Sequence, residues 1–235
     1  VCCEKRAGLE NTERILNMKG EIYVRLEQVS KKFGEEWALK EVSVQLERGK
    51  IYGIVGNNGS GKTVFMKCIC GLLPVTSGRI WVGGKEIGKE IDFPESLGVI
   101  IETPGFLAGL TGRKNLEILA DLRKRTDRTG IEEAMRKVGL SPDMKKQVSK
   151  YSLGMRQRLG IAQAIMENPE FLVLDEPFNG LDHRGVEEIR KLLKDLKEEG
   201  KTMILESHNA EDINILCDEV YEMDAGNLKK QNRAM

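Results

Sequence analysis

A glycine-rich loop between an apolar strand and a helix constrains the fold of this chain more than any other feature. Ile51–Val55 reads as a short buried strand, and it is followed by Gly56, Asn57, Asn58, Gly59, Ser60, Gly61, Lys62 and Thr63. These residues match the pattern G-x-x-x-x-G-K-[ST], in which glycines let successive backbone N–H groups point at one phosphate and the following helix favours the anion. Because this context makes a chance glycine-rich turn the weaker interpretation, the chain is predicted to bind a nucleotide within an α/β fold.

Two side chains of this loop carry specific expectations. Lys62 is expected to reach the β- and γ-phosphates, and the hydroxyl of Thr63 is expected to hold Mg²⁺. The loop alone does not identify the nucleotide or the purpose of its hydrolysis, because a kinase, a GTPase or a motor protein can carry the same loop.

A second apolar strand ends in two carboxylates. The strand pattern at 171–174 is followed directly by Asp175 and Glu176. We expect Asp175 to contact Mg²⁺, directly or through water, and Glu176 to polarise the attacking water as general base. An acidic pair at a strand end is common on protein surfaces, but its combination with a phosphate loop favours the functional interpretation.

The order of the predicted elements indicates the architecture. Strands are predicted at 21–30, 42–46, 51–55, 78–82, 97–101, 171–174, 203–205 and 219–223, and helices at 63–73, 112–124, 130–138, 151–166, 184–199 and 211–216. The helix-rich stretch separates two groups of strands. This order predicts a parallel α/β core with an all-helical insertion at about 103–166.

The composition argues against several classes of protein. Lys plus Arg and Asp plus Glu number 37 each, so the basic excess of many nucleic-acid binders is missing and no nucleic-acid partner is expected. No apolar run approaches the ~20 residues that span a bilayer, so no direct membrane insertion is expected. Five cysteines without framework spacing are typical of a reduced, cytosolic protein. Residues 1–18 are interpreted as a leader or tag, and residues 231–235 as a C-terminal tail.

Further motifs follow in a fixed order along the chain. Residues 151–158 read Tyr-Ser-Leu-Gly-Met-Arg-Gln-Arg, residues 179–182 read Asn-Gly-Leu-Asp, and Ser207-His208 follows the predicted strand at 203–205. Together with the glycine loop and the two carboxylates, they resemble the signature, the D-loop and the switch histidine of ABC-type ATPases, the nucleotide-binding subunits of ABC transporters. The resemblance covers roughly residues 20–230, and residues 19–230 are interpreted as one ABC ATPase domain.

The resemblance implies a fold and a set of cofactors. The fold would be a P-loop NTPase (RecA-like) parallel sheet core with an antiparallel β subdomain and the all-helical insertion, and the cofactors would be ATP and Mg²⁺. Ser152 and Gly154 would bind the γ-phosphate of an ATP held by a second subunit, although serine is also a preferred cap of an ordinary helix.

The resemblance also assigns roles outside the signature. His208 would contact the γ-phosphate, and Asp182 of the D-loop would belong to the nucleotide site. Phe33 or Trp37 could stack on the adenine ring, and the resemblance favours Phe33.

This sequence departs from the usual family pattern in two places. Glu102 stands at the junction of core and insertion, where the family usually has glutamine; it can ligate Mg²⁺, but its charge should repel the γ-phosphate. Leu153 and Met155 stand in the signature where glycine and glutamine are commoner. Glu102 and this signature look like the subgroup that handles bacitracin- and lantibiotic-type peptides, with neutral drift as the alternative.

The resemblance implies an ATPase subunit of an ABC exporter, powering export of an antimicrobial peptide or a similar amphipathic compound. Two subunits would form a head-to-tail dimer on a separate transmembrane permease subunit. The protein would be cytoplasmic and peripheral at the inner face of the cell membrane. The alternatives are a non-transport ABC ATPase in translation or DNA repair, and a regulatory module that binds ATP without turnover.

Overall fold

The structure is a computed structural model that describes residues 20–102 and 105–231. In chain order its elements are β1 (Ile22–Phe33), β2 (Glu36–Glu47), β3 (Ile51–Val55), α1 (Lys62–Ile69), β4 (Ser77–Val82), β5 (Lys85–Glu86), β6 (Leu97–Ile100), α2 (Gly112–Arg123), α3 (Arg128–Lys137), a 3₁₀ turn (Val148–Lys150), α4 (Leu153–Ile165), β7 (Phe171–Asp175), α5 (His183–Glu198), β8 (Thr202–Glu206), α6 (Ala210–Leu216), β9 (Glu219–Asp224) and β10 (Asn227–Lys230).

A six-stranded sheet in the order β10-β9-β3-β8-β7-β6 forms the centre of the fold. All of its neighbouring strands are parallel except β10, which pairs antiparallel to β9. The central strands β3, β7 and β8 are continuous apolar runs because both of their faces are buried. Since they are adjacent and parallel, the segments that follow them meet at one edge of the sheet.

A second, four-stranded antiparallel sheet in the order β2-β1-β4-β5 covers one face of this centre. Alternate residues of β1, such as Val24 and Leu26, are buried in the same hydrophobic cluster as Phe65 of α1. The opposite face of the six-stranded sheet packs against helices, with Leu174 and Leu159 in one cluster. The α/β fold with an antiparallel subdomain is confirmed.

Helices α2, α3 and α4 fill the chain between β6 and β7. Each is preceded by a polar cap residue whose side chain accepts a hydrogen bond from a backbone N–H of the first turn: Thr111, Asp127 and Ser152. Their apolar faces join the core cluster that also holds β7 and β8, through residues such as Leu116 and Ile131. This stretch is the one for which the sequence predicts an all-helical insertion.

The predicted and observed boundaries differ mainly at turns. Helix α1 ends at Ile69 rather than at residue 73, because Gly71 has a φ of 75° and a Cβ there would lie 2.1 Å from the carbonyl oxygen of Asp92. The short strands β5 and β10 were not predicted, since they are brief and largely polar.

The proposed leader at 1–18 and the last four residues of the proposed tail lie outside the described residues. Within 20–102 and 105–231, no helix combines the length and apolarity needed to cross a bilayer.

Candidate functional site

The glycine loop links β3 to α1 and has room only for glycine at two positions. Gly56 has a φ of 143°, and a Cβ there would lie 2.2 Å from the carbonyl oxygen of Met223. Gly61 has a φ of 113°, and a Cβ there would lie 2.4 Å from the carbonyl oxygen of Ala38. Gly61 is also the residue before α1 and offers no side chain to cap it. The first N–H groups of α1 are therefore left to an anion.

A cavity of about 250 Å³ opens beside this loop. Besides loop residues that include Asn58, Gly59, Lys62 and Thr63, its lining contains Ala38, Asp175, Glu176, Glu206 and His208. The sheet order explains this gathering, because the loop follows β3, the carboxylates end β7 and the histidine follows β8. The structure thus brings together the phosphate loop, the acidic pair and the switch histidine.

Lys62 is nearly buried and its ammonium faces oxygen atoms. Its Nζ donates to the carbonyl oxygens of Gly56 at 2.7 Å and Asn57 at 3.1 Å, and lies 3.5 Å from Oε1 of Glu206. Nearby, Ser60 Oγ is buried and has no hydrogen-bond partner among the residues described. A cation and an orphaned hydroxyl beside exposed N–H groups suit a polyphosphate.

The carboxylate of Glu176 is held by the backbone of the switch loop. The backbone N–H of His208 donates to Glu176 Oε1 at 2.7 Å, and His208 Nε2 lies 3.6 Å from the same oxygen. Glu176 itself has a φ of 47°, which a residue other than glycine rarely adopts. On its other side, Gln157 of α4 donates from Nε2 to the Glu176 carbonyl oxygen at 2.9 Å. The strained turn is thus fixed from both sides.

A third acid, Glu206, completes the carboxylate cluster and was not anticipated from the sequence. Glu206 on β8 pairs with Asp175 on the neighbouring strand β7. Only 3% of Glu206 is exposed, and its Oε2 has no hydrogen-bond partner within the described part of the chain. Burial, together with the neighbouring charges of Glu176 and Asp175, raises the pKa of Glu206 to about 8. At neutral pH this carboxyl therefore keeps a proton.

The raised pKa of Glu206 predicts a pH dependence of stability. Between its unfolded pKa near 4.5 and about 8 the folded state binds one more proton than the unfolded state. The free energy of unfolding should therefore fall as pH rises through this window, by at most about 1.4 kcal/mol per pH unit. Glu206→Gln should flatten this slope. Urea unfolding of nucleotide-free protein at pH 5, 6.5 and 8 measures it, and an unchanged slope in the variant would contradict the prediction.

Thr63 and Asp175 offer side-chain oxygens of the kind that Mg²⁺ binds. A hydroxyl and a carboxylate are the oxygen ligands that Mg²⁺ prefers, and both line the cavity. Burial raises the pKa of Asp175, and the neighbouring charge of Glu176 acts in the same direction. These residues fit the ion.

The side chain of Glu102 points to a different partner. Its Oε1 lies 2.6 Å from Nζ of Lys67 on α1, and 66% of the side chain is exposed. Lys67 follows Thr63 by four residues, so the two share one face of the helix and lie one turn apart. The carboxylate expected at the metal is thus held about one helical turn away from Thr63.

The signature residues lie outside this cavity. Ser152 caps α4, its Oγ accepting from the Met155 N–H at 3.2 Å. A Cβ on Gly154 would lie 2.7 Å from the carbonyl oxygen of Gly180. The signature therefore packs closely against the D-loop of the same chain. Asp182 caps α5 by accepting from the Gly185 N–H at 2.9 Å. Ser152 and Asp182 therefore both act as helix caps.

The two candidate adenine-stacking rings lie on the β1–β2 hairpin. Phe33 is 49% exposed and Trp37 is 46% exposed. Lys31 Nζ lies 5.0 Å from the Phe33 ring centroid, and Lys32 Nζ lies 5.4 Å from that of Trp37. Each ring is therefore open to a flat partner and already faces a cation. Neither ring lines the cavity at the glycine loop.

Sequence reasoning missed Glu206 and Gln157. Glu206 ends the apolar run of β8 in the same way as Asp175 ends the apolar run of β7. This shared pattern is the sequence feature that could have indicated Glu206. Gln157 lies inside the signature stretch, but only the packing of α4 shows that it reaches Glu176.

Comparisons with known proteins identify the family of this chain. A family model described as ABC transporter matches residues 39–179. The chain is 43% identical over 213 residues to the bacitracin transport ATP-binding protein BcrA of Enterococcus faecalis, covering 90% of this chain and 69% of that protein. It is 35% identical over 195 residues to the lantibiotic transport ATP-binding protein SrtF of Streptococcus pyogenes, covering 83% and 84%.

Solved structures show the same fold. A dimeric ATP-binding cassette in a post-hydrolysis state with ADP and phosphate superposes with a TM-score of 0.80 at 24% identity, covering 90% of this chain and 99% of that one. CbiO1 of Clostridium perfringens, part of an ABC transporter complex, gives 0.74 at 29% identity, covering 89% and 88%. The family match, the similar relatives and the motifs at the cavity lead to one conclusion. The chain belongs to the ABC transporter family as an ATP-binding subunit that hydrolyses ATP with Mg²⁺.

Proposed function

We propose that this chain powers the export of an antimicrobial peptide, or a similar amphipathic compound, as a resistance or immunity function. The observation that carries the proposal is the 43% identity, over 90% of the chain, to a bacitracin transport ATP-binding protein. The lantibiotic transport relative supports the same class of cargo. Glu102, where glutamine is usual in the family, is the feature of this chain that fits such a subgroup.

The residues that line the cavity, together with Phe33 outside it, have separate roles towards ATP. The N–H groups of the loop and Lys62 bind the phosphates, Thr63 and Asp175 hold Mg²⁺, and Phe33 stacks on adenine. Mg²⁺, when bound by these residues, would supply positive charge that offsets the charge of the phosphates. Glu176 takes a proton from the attacking water, while His208 contacts the γ-phosphate and keeps Glu176 in place through its backbone N–H.

The complete site requires a second subunit in this proposal. Ser152 and Gly154 lie outside the cavity of their own chain, and the exposed hydroxyl of Ser152 stands at the N-terminus of α4, where N–H groups favour an anion. In a head-to-tail dimer they would contact the γ-phosphate bound to the partner's glycine loop, with Asp182 nearby. An isolated monomer would then bind ATP but hydrolyse it poorly.

The permease is proposed to be a separate membrane protein, with this chain cytoplasmic and peripheral at the inner face of the membrane. The helical stretch 103–166 would contact its cytoplasmic segments. Exposed apolar side chains there, such as Leu107 and Leu122, would supply the contact.

The ion pair of Glu102 with Lys67 predicts how Mg²⁺ binding responds to mutation. If Glu102 ligates Mg²⁺, it must leave Lys67, and an exposed pair of this kind is worth about 0.2–1 kcal/mol. Lys67→Met should therefore lower the Mg²⁺ concentration that half-saturates binding of a fluorescent ATP analogue, by about 1.4- to fivefold. In a Glu102→Gln background the same change should have no effect. An equal shift in both backgrounds would exclude Glu102 as the ligand that moves.

A susceptibility assay tests the proposed cargo. A strain lacking this gene is expected to become more sensitive to bacitracin or to a lantibiotic, and unaltered towards an aminoglycoside as control. The wild-type gene should restore resistance, while a Glu176→Gln gene should not. Unchanged sensitivity to every peptide of this class would overturn the proposed cargo, leaving the ATPase assignment untouched.

A further inference from the structure

A buried ion pair lies directly behind the switch loop and does not line the nucleotide cavity. Arg190 of α5 donates to Oδ1 of Asp212 on α6 from Nε at 2.8 Å and from a terminal nitrogen at 2.6 Å. Ser207 Oγ donates to the other oxygen, Oδ2, at 3.0 Å. The three residues are 5%, 1% and 6% exposed. Both oxygens of the carboxylate are therefore used, and both partners are fixed by burial.

Such a pair is a poor way to gain stability. Removing two charges from water costs about as much as their attraction returns, and apolar residues of similar volume often do as well. What a hydrogen-bonded pair adds is direction, because each donor fixes the orientation of its acceptor. Here the fixed carboxylate of Asp212 orients the hydroxyl of Ser207, which also accepts from the Asn209 N–H at 3.2 Å.

The loop so fixed carries the donor that holds the catalytic carboxylate. His208 lies between Ser207 and Asn209, and its backbone N–H donates to Glu176 Oε1 at 2.7 Å. We propose that Ser207, Asp212 and Arg190 are positioning residues for the ATPase reaction, which hold the 207–209 turn so that the His208 N–H keeps Glu176 aimed at the attacking water. The inference rests on the proposed role of Glu176 as general base.

The same contacts connect Glu176 with the start of α5. Arg190 lies eight residues after Asp182, about two helical turns along the helix that Asp182 caps. A helix moves as a rigid rod over that distance, so a displacement at Asp182 reaches Arg190. From there it passes through Asp212 and Ser207 to the turn that holds Glu176. The D-loop and the catalytic base are thereby joined by side chains as well as by the backbone between them.

Ser207→Ala tests the proposal with little risk to folding, because it removes one hydroxyl and no charge. We expect kcat to fall about tenfold, since small misplacements of a catalytic group are costly. The affinity for ATP, measured with a fluorescent analogue, should change less than about twofold, and Ser207→Thr should restore most of the activity. Ser30→Ala is the matched control, because Ser30 is equally buried and its Oγ accepts from the Glu41 N–H in the other sheet. Its kcat should not change.

A second measurement separates positioning from a general loss of structure. If Ser207 acts through Glu176, the Ser207→Ala change should be silent, within about twofold, in single-turnover assays of the Glu176→Gln variant. The same tenfold loss in both backgrounds, or a loss of ATP affinity in place of kcat, would overturn the proposal. A Glu176→Gln variant that retains full turnover would instead overturn the assignment of the general base, which is a distinguishable result.

Discussion

Replacing Glu176 by glutamine is expected to lower ATP turnover by about 10²–10⁴-fold, the usual contribution of a general base. Glutamine keeps the shape of the side chain and can still accept from the His208 N–H, but it cannot take a proton from water. The glycine loop and Lys62 are untouched, so ATP should bind with about the wild-type affinity. Phosphate release in steady state and equilibrium binding of a fluorescent ATP analogue measure the two quantities separately.

Glu198→Gln is a suitable control for this change. Glu198 is an exposed glutamate at the end of α5, far along the helix from Asp182, and its substitution should leave turnover unaltered. In the proposed dimer, the Glu176→Gln variant should also accumulate as an ATP-bound dimer on size-exclusion chromatography. Turnover within about tenfold of wild type would show that another group activates the water.

Arg190→Met should lower the free energy of unfolding by about 3–5 kcal/mol, the usual loss when one partner of a buried pair is removed. The change leaves the 1% exposed Asp212 without the two donors to its Oδ1. Arg184→Met on the same helix is the matched control: that side chain is 88% exposed and pairs with Glu188, so the loss should be about 0–1 kcal/mol. Urea unfolding of both variants measures the difference. Equal losses would show that Asp212 finds another partner or a proton at little cost.

The parts of the site that lie in continuous stretches of chain were predictable. The glycine loop, the Asp175–Glu176 pair and the switch histidine each follow a strand, and strand ends of a parallel sheet meet at one edge. The parallel α/β core followed from the order of the elements, and the antiparallel subdomain followed from the family resemblance; both are confirmed.

The parts that depend on packing between distant segments were not predictable. Glu206 becomes a buried neighbour of Asp175 only through the register of β8 on β7. Arg190 and Asp212 lie on two different helices, and only the approach of α5 to α6 buries them together. The Lys67–Glu102 ion pair joins residues 35 positions apart, and helix periodicity indicates the face of Lys67 but not its partner.

The contact between the signature and the D-loop has a kinetic consequence. There is no room for a methyl group at Gly154, and at Gly180 a Cβ would lie 2.4 Å from Cγ of Leu153. The two turns therefore shift together, and the D-loop continues directly from the strand end that bears Glu176. In the proposed dimer, a subunit could not advance its signature towards one ATP without disturbing the catalytic residues at the other. The two hydrolysis events would then be cooperative, with a Hill coefficient above one, and the origin of that cooperativity would be steric.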